Sequence, residues 1–226
     1  MRHGRIANML RTIETETELT KDLTGRSTLD PRVMEAMKHV PRDEFVPRDM
    51  KARAFANNAL PIGEGQTISQ PFIVALMTDL LNPQSEHIIL EIGTGSGYQA
   101  AILSKRVKQV YSLEIVPPLA AQAAHRLGQL GYNNIKIRVG NGHIGWSEQA
   151  PYDGIIITAA ANHLPPALLS QLKPGGRLVI PVGLPYMHQE LMLIEKDQRG
   201  QCHTTEILGV VFVPMIGGPE EVTIEQ

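Results

Sequence analysis

From residue 70 onward, short apolar runs alternate with stretches whose apolar positions recur at helical spacing. The pattern predicts a helix over PFIVALMTDLL (71–81), a buried strand over HIILEI (87–92), a helix over YQAAILSKR (98–106) and a strand over QVYSLE (109–114). A helix over 117–130, strands over IKIRVG (135–140) and YDGIIITA (152–159), and a helix over PPALLSQL (165–172) follow. Strands over GGRLVIPVG (175–183), ELMLIEK (190–196) and EILGVVFVP (206–214) end the series. Strands alternating with helices imply an α/β fold: a doubly wound, mostly parallel Rossmann-like sheet with helices on both faces. Ligands on such sheets sit beyond the carboxyl ends of the strands, where strand order reverses, so the loop after residue 92 is where a site is expected.

Ahead of residue 70 the pattern is weaker. MRHGRIANMLRTI carries Ile6, Met9, Leu10 and Ile13 at helical spacing, and the polar run TETELTKDLTGRST then breaks it. Asp30 and Pro31 are a cap and first-turn pair that opens a second helix through Val33, Met34 and Met37, which Pro41 stops. Residues 41–69 contain Pro41, Pro47, Pro61, Gly63 and Gly65 and are expected to be an irregular cover over a site. The expected organisation is one domain over 1–226. Its parts are N-terminal helices and cover (1–69), a cofactor-binding core (70–183), and C-terminal strands with a substrate-side segment (184–226).

Composition narrows the partners. The 226 residues are 42% hydrophobic and 19% charged with a formal net charge of -2, an ordinary globular balance without the basic excess that a phosphate backbone demands. No stretch approaches the ~20 apolar residues of a membrane span, and no signal-like apolar region follows Arg2, Arg5 and Arg11. The one cysteine, Cys202, cannot form an internal disulfide, which favours a cytoplasmic protein, and a monomer is expected. The eight histidines are scattered without a pair at ligand spacing, so no metal site is expected.

The stretch LEIGTGSGY (90–98) carries the candidate chemistry. A dinucleotide loop reads G-x-G-x-x-G, whereas the spacing from Gly93 is G-x-G-x-G and Tyr98 occupies the third dinucleotide position. A phosphate loop needs Lys after its glycines, and none follows until Lys105. Glu91 stands two residues before the first glycine, where its carboxylate must face the core or a ligand and would repel a pyrophosphate. Glu114 ends the next strand, about 20 residues past Gly93, the place from which an acid holds ribose hydroxyls. A ligand with a ribose, a positive centre and no pyrophosphate fits, and S-adenosylmethionine has all three properties. The plain alternative is a tight turn between two solvated strand ends.

LEIGTGSGYQAAIL resembles the first motif of class I S-adenosylmethionine methyltransferases, and PIGEGQTISQP resembles the signature of the protein-L-isoaspartate O-methyltransferases. DPRVMEAMKHVPRDEFVP, YDGIIITAAANHLPPALLSQLKPGGRLVIPVG and FVPMIGG extend the resemblance over nearly all of residues 30–217. It implies methyl transfer from S-adenosylmethionine to the α-carboxylate of an L-isoaspartyl residue in a damaged protein, with S-adenosyl-L-homocysteine as product. The ester then closes to a succinimide whose hydrolysis returns some normal aspartate. It also implies a catalytic role for Ser69, with Thr67, Ile68 and Gln70 beside the methionine end of the cofactor. Glu91, Gly93, Thr94, Gly95 and Gly97 of the loop, Glu114 and Ile115 after the second strand, and Asn141 and Gly142 complete the expected cofactor set. The family carries Gly-Asp-Gly where this chain has Gly140-Asn141-Gly142. The asparagine carbonyl can accept the same hydrogen bond, so Asn141→Asp is expected to tighten cofactor binding.

Other classes fit less well. An amino-group nucleic-acid methyltransferase needs an Asn/Asp-Pro-Pro-aromatic motif where Thr158-Ala159-Ala160-Ala161 stands, and a cytosine carbon methyltransferase needs a cysteine that Cys202, in a late strand, does not supply. A methyltransferase of another carboxylate and a non-catalytic S-adenosylmethionine-binding regulator remain alternatives.

Overall fold

A computed structural model describes residues 2–184 and 187–218. Met1, and residues 185–186 and 219–226 of the expected C-terminal part, lie outside the described residues. The chain opens with α1 (Arg2–Leu19), α2 (Lys21–Thr24) and α3 (Pro31–His39), then a hairpin of β1 (Leu60–Gly63) and β2 (Gln66–Ile68). The alternating part follows as α4 (Pro71–Leu81), β3 (Ile88–Ile92), α5 (Tyr98–Ser104), β4 (Gln109–Glu114), α6 (Pro117–Gln129), β5 (Ile135–Val139) and β6 (Tyr152–Ile157). The helix α7 (Pro166–Gln171) and strands β7 (Leu172–Gly183), β8 (Gln189–Lys196) and β9 (Cys202–Val210) end it.

Seven strands form one sheet in the order β5-β4-β3-β6-β7-β8-β9. The first five are parallel and the last two antiparallel, as the doubly wound expectation requires. The chain winds outward from β3 through β4 to β5, then returns to β6 on the other side of β3. The strand order therefore reverses beside β3, and a crevice opens beyond the carboxyl ends of β3 and β6. Side chains alternate across the pleat. Ile89, Val110, Ile156 and Val179 join the core beneath α1, α3, α4 and α5. Leu90, Ile92, Leu113, Ile155 and Ile157 pack on the opposite face with Trp146, Tyr152 and Leu168.

Three elements differ from expectation. The polar run after Ile13 does not break α1, because buried Thr17 continues the stripe of Met9 and Ile13 at four-residue spacing. Thr12, Thr15, Thr17 and Thr20 each turn a hydroxyl back onto the carbonyl four residues earlier, so the threonines complete their hydrogen bonding within the helix. The cover is more regular than its prolines suggest. Two short 3-10 turns, Arg42–Glu44 and Arg48–Arg53, lead into the β1–β2 hairpin, whose strands are too short to show a period. β9 begins at Cys202 rather than residue 206. Its first residues are exposed on an edge strand and are held by the backbone ladder to β8 and by the contact of His203 with Asp197 at 3.7 Å.

Candidate active site

The crevice is lined by the carboxyl ends of the central strands and closed by the cover. Ile92, Gly93, Thr94, Gly95 and Ser96 come from β3 and its loop, and Leu113, Glu114, Ile115 and Val116 from the end of β4. Gly140 and Gly142 follow β5, and Thr158 and Ala159 follow β6. Gln66, Thr67, Ile68 and Ser69 form the wall contributed by β2, and Val213 to Ile216 form the roof. Of the residues given a site role from the sequence, Thr67, Ile68, Ser69, Gly93, Thr94, Gly95, Glu114, Ile115 and Gly142 line this one pocket.

Close backbone approach explains two of the glycines. Gly93 has φ +92°, and a Cβ there would stand 2.5 Å from the Thr158 hydroxyl, which itself donates to the Gly93 carbonyl at 2.6 Å. At Gly142 a Cβ would meet Ile92 at 2.3 Å and Met215 at 2.8 Å, so a side chain would push the floor from the roof. Glu114 ties the glycine loop to the end of β4. Its carboxylate accepts from the Gly95 amide at 2.7 Å and the Val116 amide at 3.0 Å, one bond to each oxygen, which leaves each oxygen further acceptor capacity. Among the described residues it is the only formally charged side chain lining the pocket, and none of them that lines it is Lys or Arg.

Four expected cofactor residues stand elsewhere. Glu91 shares the pleat face of Ile89, away from the crevice, and is fully buried beside its strand partner Ser112. One of its oxygens accepts from the Ser112 hydroxyl, which in turn meets the Thr94 hydroxyl at 2.6 Å, and the other oxygen has no hydrogen-bond partner among the described residues. Burial, reinforced by the charge of Glu114 and opposed by Ser112, pushes the Glu91 carboxyl up to about 8. It is a mostly neutral acid at pH 7 that underpins Thr94, so no Glu91 carboxylate charge is offered to a ligand in the crevice. Gly97 faces α6, with Leu127 and Ala123 against it. Gln70 lines an adjoining groove rather than the pocket.

Asn141 lies beside the pocket but does not line it. Its amide nitrogen donates to the Gly217 carbonyl at 2.7 Å and its oxygen accepts from the His143 amide at 2.9 Å. A second strap joins the His143 ring to the Met215 carbonyl at 3.3 Å, so this loop fastens the roof segment. Aspartate would lose the donor and set a carboxylate against a carbonyl. Asn141→Asp is therefore expected to weaken cofactor binding, by about 1–2 kcal/mol, reversing the expectation from sequence. Calorimetric titration with S-adenosyl-L-homocysteine checks this, and tighter binding by the variant would refute it.

Ser69 lies where two cavities meet. It lines the pocket and also a neighbouring groove of about 580 Å³ that shares Thr67, Thr158 and Val213 with it. Its carbonyl accepts from the buried Arg42 guanidinium at 2.7 Å. Serine often caps a helix start, but here Asn57 takes that part by accepting from the Phe72 amide at 3.0 Å, and the Ser69 hydroxyl makes no hydrogen bond among the described residues. The roof and Thr158 were given no site role from sequence, although both lie in stretches that carry the resemblance, FVPMIGG and YDGIIITAAANHL; the contacts of the roof with Ala160 become visible only once the chain is folded.

A parallel sheet with its pocket at the point of strand reversal, a glycine loop without phosphate-binding cations, and an acid closing the second strand is the architecture of Rossmann-like methyltransferases. The chain belongs to the protein-L-isoaspartate(D-aspartate) O-methyltransferase family, which it matches over residues 14–220. It is 58% identical over 212 residues to protein-L-isoaspartate O-methyltransferase 2 of Syntrophobacter fumaroxidans, an alignment covering 94% of this chain and 86% of that protein. Identity to protein-L-isoaspartate O-methyltransferase 2 of a Polaromonas species is 56% over 204 residues, covering 90% and 94%. A solved protein-L-isoaspartate O-methyltransferase superposes with TM-score 0.81 at 25% identity, covering 94% of this chain and 66% of that one. A Plasmodium falciparum structure in complex with S-adenosyl-L-homocysteine shares the fold, with TM-score 0.76 at 22% identity, covering 96% and 99%.

Proposed function

We propose that this chain transfers a methyl group from S-adenosylmethionine to the α-carboxylate of L-isoaspartyl residues in damaged proteins, starting their repair through a succinimide. The observation that carries the proposal is the position of Ser69, its hydroxyl unengaged, at the junction of the pocket and the groove. The pocket residues suit the cofactor. Glu114 offers acceptors for ribose hydroxyls, and the absence of Lys and Arg among the described lining residues disfavours a pyrophosphate. Bound there, S-adenosylmethionine supplies an electrophilic methyl group on a sulfonium.

The chain's own residues then have little proton chemistry to perform, because a carboxylate with an ordinary pKa near 4 is already ionised at pH 7. Ser69 donates a hydrogen bond to the incoming carboxylate and fixes its direction, while Thr67 and the roof hold the reacting groups together. Catalysis is positioning. We read residues 1–226 as one domain, cover, core and substrate-side segment together, acting as a cytoplasmic monomer. The balance of 21 basic and 23 acidic residues supports a partner other than nucleic acid. Sedimentation at micromolar concentration checks the monomer, and a dimer mass would refute it.

Tritiated methyl transfer to an isoaspartyl peptide and to its aspartyl counterpart tests the reaction. Transfer only to the first is expected, and transfer to both or to neither overturns the proposal. Ser69→Ala is expected to lower kcat/KM about 10- to 100-fold, the value of a hydrogen bond to a charged group, with cofactor Kd within about twofold of the parent. Equal kcat/KM for the two proteins would remove Ser69 from the mechanism.

A further inference from the structure

The groove beside Ser69 has a charge pattern that the reaction itself does not require. Its floor is the end of β9 and the residues after it, Leu208 to Val213, and its walls combine the apolar Ala59, Phe72 and Ile73 with the uncharged polar Thr67, Ser69, Gln70 and Thr158. Among the described residues two ionisable side chains line it, Glu16 and His188. His188 already has a counter-charge, since its ring Nε2 meets the Glu190 carboxylate. Glu16 has none. Its neighbour on α1, Glu18, is paired with Lys21, whereas the half-buried Glu16 carboxylate forms no ion pair among the described residues. Among the described residues, the groove therefore carries one negative charge without a counter-ion, that of Glu16.

The position of that charge is fixed. Glu16 belongs to the polar stretch that extends α1 beyond Ile13, and the buried side chains of Ile13 and Thr17 flank it and anchor that turn to the core. Its carbonyl is also engaged, accepting from the Thr20 hydroxyl at 2.8 Å. A carboxylate held on a rigid helix beside the substrate groove attracts a cation placed opposite it and repels an anion, and the apolar part of the walls lessens the screening by water.

We propose that Glu16 is a specificity-determining residue: it makes the groove favour isoaspartyl sites flanked by lysine or arginine over those flanked by aspartate or glutamate. This rests on the proposed isoaspartyl activity. The substrate class it names is the cation-bearing damaged segment, with the isoaspartyl carboxylate at Ser69 and a flanking ammonium or guanidinium group directed toward Glu16.

The test uses two isoaspartyl peptides that differ only in carrying lysine or glutamate on both sides of the isoaspartate. The parent chain is expected to favour the lysine peptide about two- to fivefold in kcat/KM, the range of a partly exposed ion pair, with the ratio shrinking toward one in 0.5 M salt. Glu16→Gln is expected to bring the ratio close to one at low salt, and Glu16→Lys to reverse it, each ratio being taken within one variant so that any common change in turnover cancels. A ratio unchanged in both variants, or a parent ratio of one, overturns the role of Glu16 while leaving the methyl transfer standing. Failure of every form to methylate either peptide overturns the isoaspartyl reading and this inference with it.

Discussion

Arg42→Met is expected to lower the free energy of unfolding by about 3–5 kcal/mol, the largest single effect on stability outside the core. The guanidinium is fully buried between the cover and the start of α5, and no carboxylate pairs with it among the described residues. It serves backbone carbonyls. Nε donates to Ala54 at 2.7 Å, and one terminal nitrogen reaches Ser69 at 2.7 Å and, more weakly, Asn58 at 3.4 Å. The cation also stands 4.9 Å from the centroid of the Tyr98 ring, which lines the pocket. Methionine fills the volume but leaves those carbonyls without their donor, and each buried unmet acceptor costs about 1–3 kcal/mol. Because one of them belongs to Ser69, kcat/KM should fall at temperatures where the variant is still folded. Arg42→Lys keeps a cation that can reach one or two of the carbonyls and should fall between the two. Urea unfolding measures the first effect, and a midpoint for Arg42→Met equal to the parent's would refute this account of the clamp.

The parts of the fold legible in the sequence were those whose burial depends on local periodicity. PFIVALMTDLL forms α4 with the predicted bounds, and QVYSLE forms β4 likewise, because each is a largely buried segment in which apolar residues predominate. The glycine loop was legible because close approach admits few residue types, and Gly93 and Gly142 stand against their neighbours as that reasoning requires. Where local signal and tertiary role diverge, the sequence misled. Thr17 looks polar yet fills an apolar position, so α1 runs further than its hydrophobic stripe and delivers Glu16 to the groove. Glu91 looked like a ligand for the cofactor because it ends a strand before the glycines, but pleat alternation turns it to the face opposite the crevice. Asn141 looked like a cofactor contact, and its amide is used instead to fasten a roof segment 76 residues away. Such a partner is set by topology and has no local signature.

Glu91→Gln is expected to be more stable than the parent at pH 9 by a few kcal/mol, and close to it at pH 5. The folded-state pKa of Glu91 stands at about 8 against an ordinary 4.5, with burial as the main cause. Between those two values the folded chain keeps a proton that the unfolded chain has released. Stability contributed by the neutral acid is thus fully present below about pH 4.5, declines by about 1.4 kcal/mol per unit as pH rises, and is lost above about pH 8. Glutamine matches the size of the protonated acid and does not titrate, so the difference between the two proteins isolates this group. Urea unfolding at pH 5, 7 and 9 checks it, and a difference that does not change with pH would refute it. The same proton matters to the pocket. Glu91, Ser112 and Thr94 form one chain of hydrogen bonds beneath the glycine loop, and Glu114, which holds Gly95 from the other side, adds its own charge to the repulsion when Glu91 ionises. Cofactor binding by the parent should therefore weaken above about pH 8 and recover on return to pH 7, whereas Glu91→Gln should bind with little change across that range. An alkaline loss of the same size in both proteins would place its origin in another group.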